Sequence, residues 1–178
     1  MFGFKPSSDG PDAIELLKAD HDEVEAMFNE YETLIESGKT TERKTLVTRI
    51  CNALTVHATM EEEIFYPAAR RAGTVDKDLV DEAAVEHQTL KDIIARLHAA
   101  PVSDPLYDAG VKVLSEYTKH HVREEENELF PQMKKSGEDL AELGRRLQAR
   151  KESLEAKTGR GSKTGTQRTP GTASHARA

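Results

Sequence analysis

The 178-residue chain has one cysteine, no tryptophan and only 5% aromatic residues. A lone Cys51 cannot form an internal disulfide or a zinc site built on several thiolates, and it suits a reducing, cytoplasmic compartment. No run approaches the roughly 20 apolar residues of a membrane span, which excludes an integral membrane protein, and no membrane partner is expected. Residues 1–6 are too short and too weakly apolar for a secretory signal. Positive charge is also in short supply, with 25 Lys+Arg against 32 Asp+Glu and a formal net charge of −7. That balance argues against nucleic acid as the main partner.

What is abundant is Glu, Lys, Ala and Leu, a helix-forming composition. The basic residues are unevenly placed. Lys157, Arg160, Lys163, Arg168 and Arg177 fall after residue 155 with no acidic residue among them, in a Gly-, Thr- and Ser-rich stretch without periodicity. Such a stretch cannot bury enough surface to offset its ordering entropy. Residues 156–178 therefore read as a disordered basic tail, and 1–155 as one folded domain with its core in 12–135.

Turn signals divide that core. Gly38 before Thr40, Gly73, the Pro101–Pro105 stretch and Gly137 separate long segments at about 12–37, 41–71, 76–100 and 105–135, with a short helix near 138–155. Thr40 and Asp104 read as N-caps, and Pro67 and Pro131 as places where a helix ends or kinks. Each long segment carries apolar residues at helical spacing, interrupted once by histidine: His21, His57, His87 and His121. The fourth stripe reads Val113, Leu114, Tyr117, His121, Glu125, Leu129. Polar residues at core positions cost several kcal/mol unless they find partners. Four such breaks in matching places need a cause.

Short connections make successive helices antiparallel neighbours, which predicts an all-α, up-down-up-down four-helix bundle. The sequence midpoints of His21 and His57, His57 and His87, and His87 and His121 all fall in the predicted turns. The four imidazoles therefore belong to one level of the bundle. Glu61 and Glu125 follow His57 and His121 by four residues, one turn away on the same face. Those helices are diagonal, so the two carboxylates should face each other. The chain is also an internal repeat: Asp20-His21 with His57-x3-Glu61-Glu62 and Tyr66-Pro67, against Glu86-His87 with His121-x3-Glu125-Glu126 and Phe130-Pro131.

Four imidazoles and two carboxylates without a thiolate favour iron or manganese, with zinc as a possible substitute. Two bridging carboxylates need two metals, and six ligands leave positions open for water, oxygen or peroxide. A structural zinc site would use four ligands and a closed shell.

This pattern resembles the hemerythrin-like (HHE cation-binding) family over residues 12–135. The resemblance implies a non-haem di-iron centre, oxo- or hydroxo-bridged, held by His21, His57, Glu61, His87, His121 and Glu125. Ferritin-like sites differ in using Glu-x-x-His. Oxygen-carrying hemerythrins have a second histidine one turn from that of the third helix, where this chain has Ala83 and Lys91. One metal is then short of a protein ligand, a place for Tyr117, Glu25 or water. Such a gap favours sensing of, or reaction with, oxygen, peroxide or nitric oxide over reversible oxygen carriage. The alternative is an iron store or donor tied to stress or iron–sulfur cluster repair. Binding or sensing is favoured over catalysis, with weak consumption of peroxide or nitric oxide as the enzymatic option.

Other residues have ordinary readings. His98 is too far along its helix to join the site, His120 points around the helix from His121, and His175 lies in the tail. Cys51 reads as a small core residue. Glu62, Glu63, Glu124, Glu126 and Glu128 read as a solvated acidic face, with Glu62 and Glu126 placed to assist the site from outside.

Overall fold

The computed structural model describes residues 10–161, with side chains to residue 157. Four long helical runs stand antiparallel. They are α1 (Ala13–Glu36), α2 (Thr40–Met60) continuing through a π-helical turn into α3 (Tyr66–Ala72), α4 (Lys77–Ala99), and α5 (Tyr107–Glu124) continuing through a second π-helical turn into α6 (Phe130–Lys135). A fifth run, α7 (Leu140–Gly161), packs on α1 and α2. No strand occurs among the described residues. Around the bundle, α1 and α4 each adjoin both α2 and α5, so α2 and α5 are diagonal as the short connections require.

Local chemistry accounts for most boundaries. Asp12 caps α1 by accepting from the backbone N–H groups of Ile14 and Glu15, while Glu15 returns a bond to the Asp12 N–H. Asp76 caps α4 through Asp78 N–H, and Gly73 ends α3 in the left-handed region at φ 69°. Two expected caps are corrected. Thr40 is the first helical residue after an uncapped Lys39. Asp104 instead closes a turn, accepting from Leu106 N–H at 2.8 Å, and α5 begins at Tyr107. The fifth helix also runs to Gly161, past residue 155, because Leu143 and Leu147 bury against the core and hold it. The rest of the basic tail, with His175, lies outside the described residues.

At Pro67 and Pro131 the helical run continues, but a π-helical turn interrupts the α-helix just before each proline. A proline has no N–H for the carbonyl four residues back, and its ring crowds that carbonyl. One extra residue per turn relieves both problems: Tyr66 N–H bonds Glu61 C=O and Phe130 N–H bonds Glu125 C=O, each spanning five residues. Both π-helical turns, Glu61–Phe65 and Glu125–Leu129, begin at the glutamates that the sequence singled out.

The core is split in two. One apolar cluster contains Leu17, Phe65, Val80, Phe130 and Leu147; the other contains Phe28, Ile50, Leu54, Leu90 and Leu114. Burying a large side chain of this kind contributes about 1.5–3 kcal/mol. The fourth stripe is rotated from its expected register, since Val113 is exposed while Val111, Leu114, Thr118 and His121 point inward. Between the clusters lies a polar layer of four histidines.

Candidate metal centre

His21, His57, His87 and His121 all direct Nε2 to the bundle axis. Nε2 of His21 and Nε2 of His57 are 3.2 Å apart, and those of His87 and His121 are 3.0 Å apart. Glu61 and Glu125 enter one turn away. Glu61 Oε2 is 3.1 Å from His57 Nε2 and 3.4 Å from His87 Nε2. Glu125 Oε2 is 3.4 Å from His21 Nε2 and 3.5 Å from His121 Nε2. Each glutamate thus reaches both histidine pairs. All six side chains are buried, none more than 7% exposed.

The outer edge of each ring meets a carboxylate. His21 Nδ1 is 2.9 Å from Glu126, His87 Nδ1 is 3.1 Å from Glu62, and His121 Nδ1 is 2.7 Å from Glu86. His57 Nδ1 lies 3.5 Å from Asp20 without forming a hydrogen bond. The repeat explains the pattern. The acidic residue before each lone histidine serves the other histidine of its own half, and the one after each core glutamate serves the opposite half. Cations back three of these carboxylates, Lys18 on Glu126, Lys91 on Glu62 and Lys151 on Asp20, while the imidazole of His120 lies 3.5 Å from Glu86. The supposed solvated acidic face therefore holds Glu62 and Glu126 as orienting partners, and Asp20 and Glu86 join them. A proton kept on Nδ1 leaves the Nε2 lone pair facing inward, the arrangement usual for histidine bound to metal.

Tyr66 is the residue that sequence reasoning missed. Its hydroxyl donates to Glu125 Oε1 at 2.8 Å and lies 3.2 Å from His87 Nε2 and 3.5 Å from Glu61 Oε2. It stands beside His87, the one histidine that the third long helical run gives to the layer. Tyr117 instead packs at the edge of the second apolar cluster, and Glu25 is exposed in an outer groove. The signal was the difference between Tyr66-Pro67 and Phe130-Pro131. An α-helix puts residues five apart about 140° apart, at 100° per residue, which hid it. The π-helical turn brings Tyr66 back to the face of Glu61. Phe130, its counterpart, stacks on His21 with ring centroids 5.8 Å apart.

The electrostatics are those of a site arranged for cations. Burial opposes the charge on His57, but Glu61, Asp20 and Glu125 outweigh it and hold the imidazole up to about 10. Burial likewise opposes the charge on His121, which Glu125, Glu86 and Glu61 hold up to about 9. Glu61 stays well below the usual carboxylate range despite burial, because His57 and His87 flank it. Burial, with Glu125 and Glu61 nearby, pushes the Tyr66 hydroxyl well above its ordinary value.

These residues fit a metal. Glu61 Oε1 and Glu125 Oε2 are buried without a hydrogen-bond partner, a costly state for a carboxylate oxygen. Paired imidazole nitrogens about 3 Å apart repel each other unless a proton or cation lies between them. The donor atoms of His21, His57, Glu61 and Glu125 form one set within 4.8 Å, and those of Glu61, His87 and His121 form another. On the side of the histidine layer away from Tyr66, a cavity of about 20 Å³ is lined by the four histidines with Val24, Leu54, Leu90 and Thr118.

Comparison with known proteins gives the same picture. Residues 12–157 match the hemerythrin HHE cation binding domain. A Mycobacterium tuberculosis protein, Rv2633c, is 31% identical over 135 residues, covering 74% of this chain and 78% of that protein. A Nostoc protein named DNA nickase is 28% identical over 149 residues; the match covers 82% of this chain but only 40% of that protein's length. The crystal structure of the Rv2633c homolog from Mycobacterium kansasii, a hemerythrin HHE cation binding domain-containing protein, superposes with a TM-score of 0.73. It is 25% identical, and the match covers 87% of this chain and 94% of that one. None of the helices among the described residues is long and apolar enough to cross a membrane. The chain belongs to the hemerythrin HHE cation-binding domain family.

Proposed function

We propose that the chain holds two iron ions and uses them to bind or react with a small ligand: oxygen, peroxide or nitric oxide. His21 and His57 would hold one ion; His87, His121 and Tyr66 would hold the other; Glu61 and Glu125 would join them. The observation that carries this reading is that each glutamate lies within 3.5 Å of a histidine from both pairs. When bound, the iron pair supplies a redox-active centre with room for an exogenous ligand.

The protein's own residues define what that centre favours. Glu126, Glu62 and Glu86 fix the orientations of His21, His87 and His121, and Asp20 lies 3.5 Å from His57 Nδ1. Val24, Leu54 and Leu90 keep the cavity beside the histidines apolar and admit only a ligand of few atoms. Tyr66 adds a hard oxygen donor on the His87 side, which favours the ferric state and hence reaction or sensing over reversible oxygen carriage. An iron donor would need labile metal, whereas burial of the donors and three imidazoles held at Nδ1 by carboxylates favour retention.

The test is iron content and spectrum after expression with iron. Two irons per chain are expected, with near-ultraviolet absorption from a bridged ferric pair and a visible phenolate-to-iron band that Tyr66→Phe removes. A reproducible value of one iron or fewer would refute the bridged pair.

A further inference from the structure

Outside the buried layer, on the face formed by α4 and α5, three more metal donors meet. His120 Nε2 lies 3.3 Å from Glu124 Oε1 and 3.5 Å from Glu86 Oε1. One donor atom from each of the three residues lies within 4.8 Å of the others. His120 and Glu124 sit one turn apart on α5, and Glu86 reaches them from α4. Glu86 divides its oxygens: Oε1 faces His120, while Oε2 holds His121 Nδ1 at 2.7 Å. A cavity of about 10 Å³ is lined by Glu86, Glu124, His121 and Glu125 together with the apolar Leu79, Ala83 and Leu129. Glu125 is 2% exposed, and its Oε2 has no hydrogen-bond partner.

The internal repeat shows that the fold does not require this cluster. In the first half, the residues matching His120 and Glu124 are Val56 and Met60, both buried in the apolar cluster where α7 covers α2. There Asp20, the counterpart of Glu86, is neutralised by Lys151 at 2.5 Å. One such cation is enough to stabilise a carboxylate. On the second half, an imidazole and an additional carboxylate stand in its place, on a surface that α7 leaves open. Nitrogen and oxygen donors without thiolate suit ferrous, manganous and zinc ions. Neighbouring ligands about 2.1 Å from a tetrahedral metal lie about 3.4 Å apart, close to the 3.3 and 3.5 Å seen here.

We infer that Glu86, His120 and Glu124 form a surface site for a divalent first-row cation, and that ferrous iron passes through it to the buried centre. The destination rests on the di-iron reading above; binding at the surface does not. The buried donors are sealed from solvent, so an incoming ion must shed water before it reaches them. A site that replaces part of its hydration shell at the surface, one carboxylate away from His121, lowers that barrier.

The iron-loaded full chain, titrated with Mn²⁺ and followed by electron paramagnetic resonance, should take up one further ion. His120→Ala and Glu124→Gln should lose that ion while keeping the wild-type iron content. After chelation, refilling with ferrous iron should reach the same endpoint in His120→Ala but roughly tenfold more slowly, the scale of outer-sphere effects at metal sites. Wild-type protein that takes up no Mn²⁺, or equal refilling rates in the two proteins, would overturn the inference. Failure of the buried di-iron centre would look different: the wild-type iron count would fall short, while Mn²⁺ uptake would still separate wild type from His120→Ala.

Discussion

Tyr66→Phe isolates one oxygen atom at the centre of the site. The substitution leaves the ring, which packs in the apolar cluster with Phe65 and Phe130, and makes the first half of the repeat match the second. In the metal-free protein it removes the 2.8 Å bond from the hydroxyl to Glu125 Oε1. A hydrogen bond to a charged group contributes about 1.5–3 kcal/mol net. Relief from burying the hydroxyl returns part of that, so about 1–2 kcal/mol should be lost. For a domain of this size, each kcal/mol shifts Tm by about 2–4 °C, giving a fall of roughly 2–8 °C. In the iron-loaded protein the same change should abolish a visible charge-transfer band and leave the near-ultraviolet bridge absorption in place. Thermal melts of metal-free protein and absorbance spectra of loaded protein check the two halves separately. A visible band that survives Tyr66→Phe would refute the assignment of the hydroxyl to the metal. An unchanged metal-free Tm would refute the energetic account of its bond to Glu125.

The remaining expectations concern protons, the outer carboxylates and the fifth helix. His57 and His121 are held up to about 10 and about 9 in the metal-free fold, above an ordinary value near 6.5. They are therefore charged at pH 7 and must release protons to bind metal, so calorimetry in buffers of different ionisation enthalpy should show proton release and an affinity that rises with pH. Their raised values also contribute stability that is fully present below about 6.5 and lost as pH climbs through 9 to 10, so metal-free protein should melt at lower temperature at pH 10 than at pH 7. Glu126→Ala takes away the partner of His21 Nδ1, and competition with a chelator should show metal affinity reduced about 10–100-fold. Gly144→Ala would put a Cβ 2.6 Å from the Pro11 carbonyl oxygen and 2.8 Å from the Asp12 carbonyl carbon. Denaturant unfolding should show a loss of about 1–3 kcal/mol, with iron content unchanged because the contact is remote from the histidines.

Much of the architecture was legible in the residue order because it depends on local periodicity. Helical stripes broken once each by histidine, glycine stops and a half-chain repeat were enough to put His21, His57, His87 and His121 at one level. The i, i+4 rule put Glu61 and Glu125 beside them. The same rules marked the prolines as irregular without giving the form of the irregularity. Whether Pro67 and Pro131 break a helix or are absorbed in a π-helical turn depends on what packs around them, and a single helix does not contain that information. The hidden position of Tyr66 followed from this, since its facing changes with one extra residue in a turn. The carboxylates beside the histidines were legible only in part, since spacing placed Glu62 and Glu126 to assist from outside without naming the imidazole each one meets. Alone on a helix, Glu62 and Glu126 are solvated charges, and only a neighbouring helix bringing an imidazole within 3.1 Å gives them a task. The sequence by itself determined the elements, their order and the six inward donors, because those rest on spacing along one helix. Tertiary structure decided the tyrosine, the ring partner of each outer carboxylate and the Glu86–His120–Glu124 cluster, because those rest on which helix faces which, and on the half of the bundle that α7 leaves uncovered.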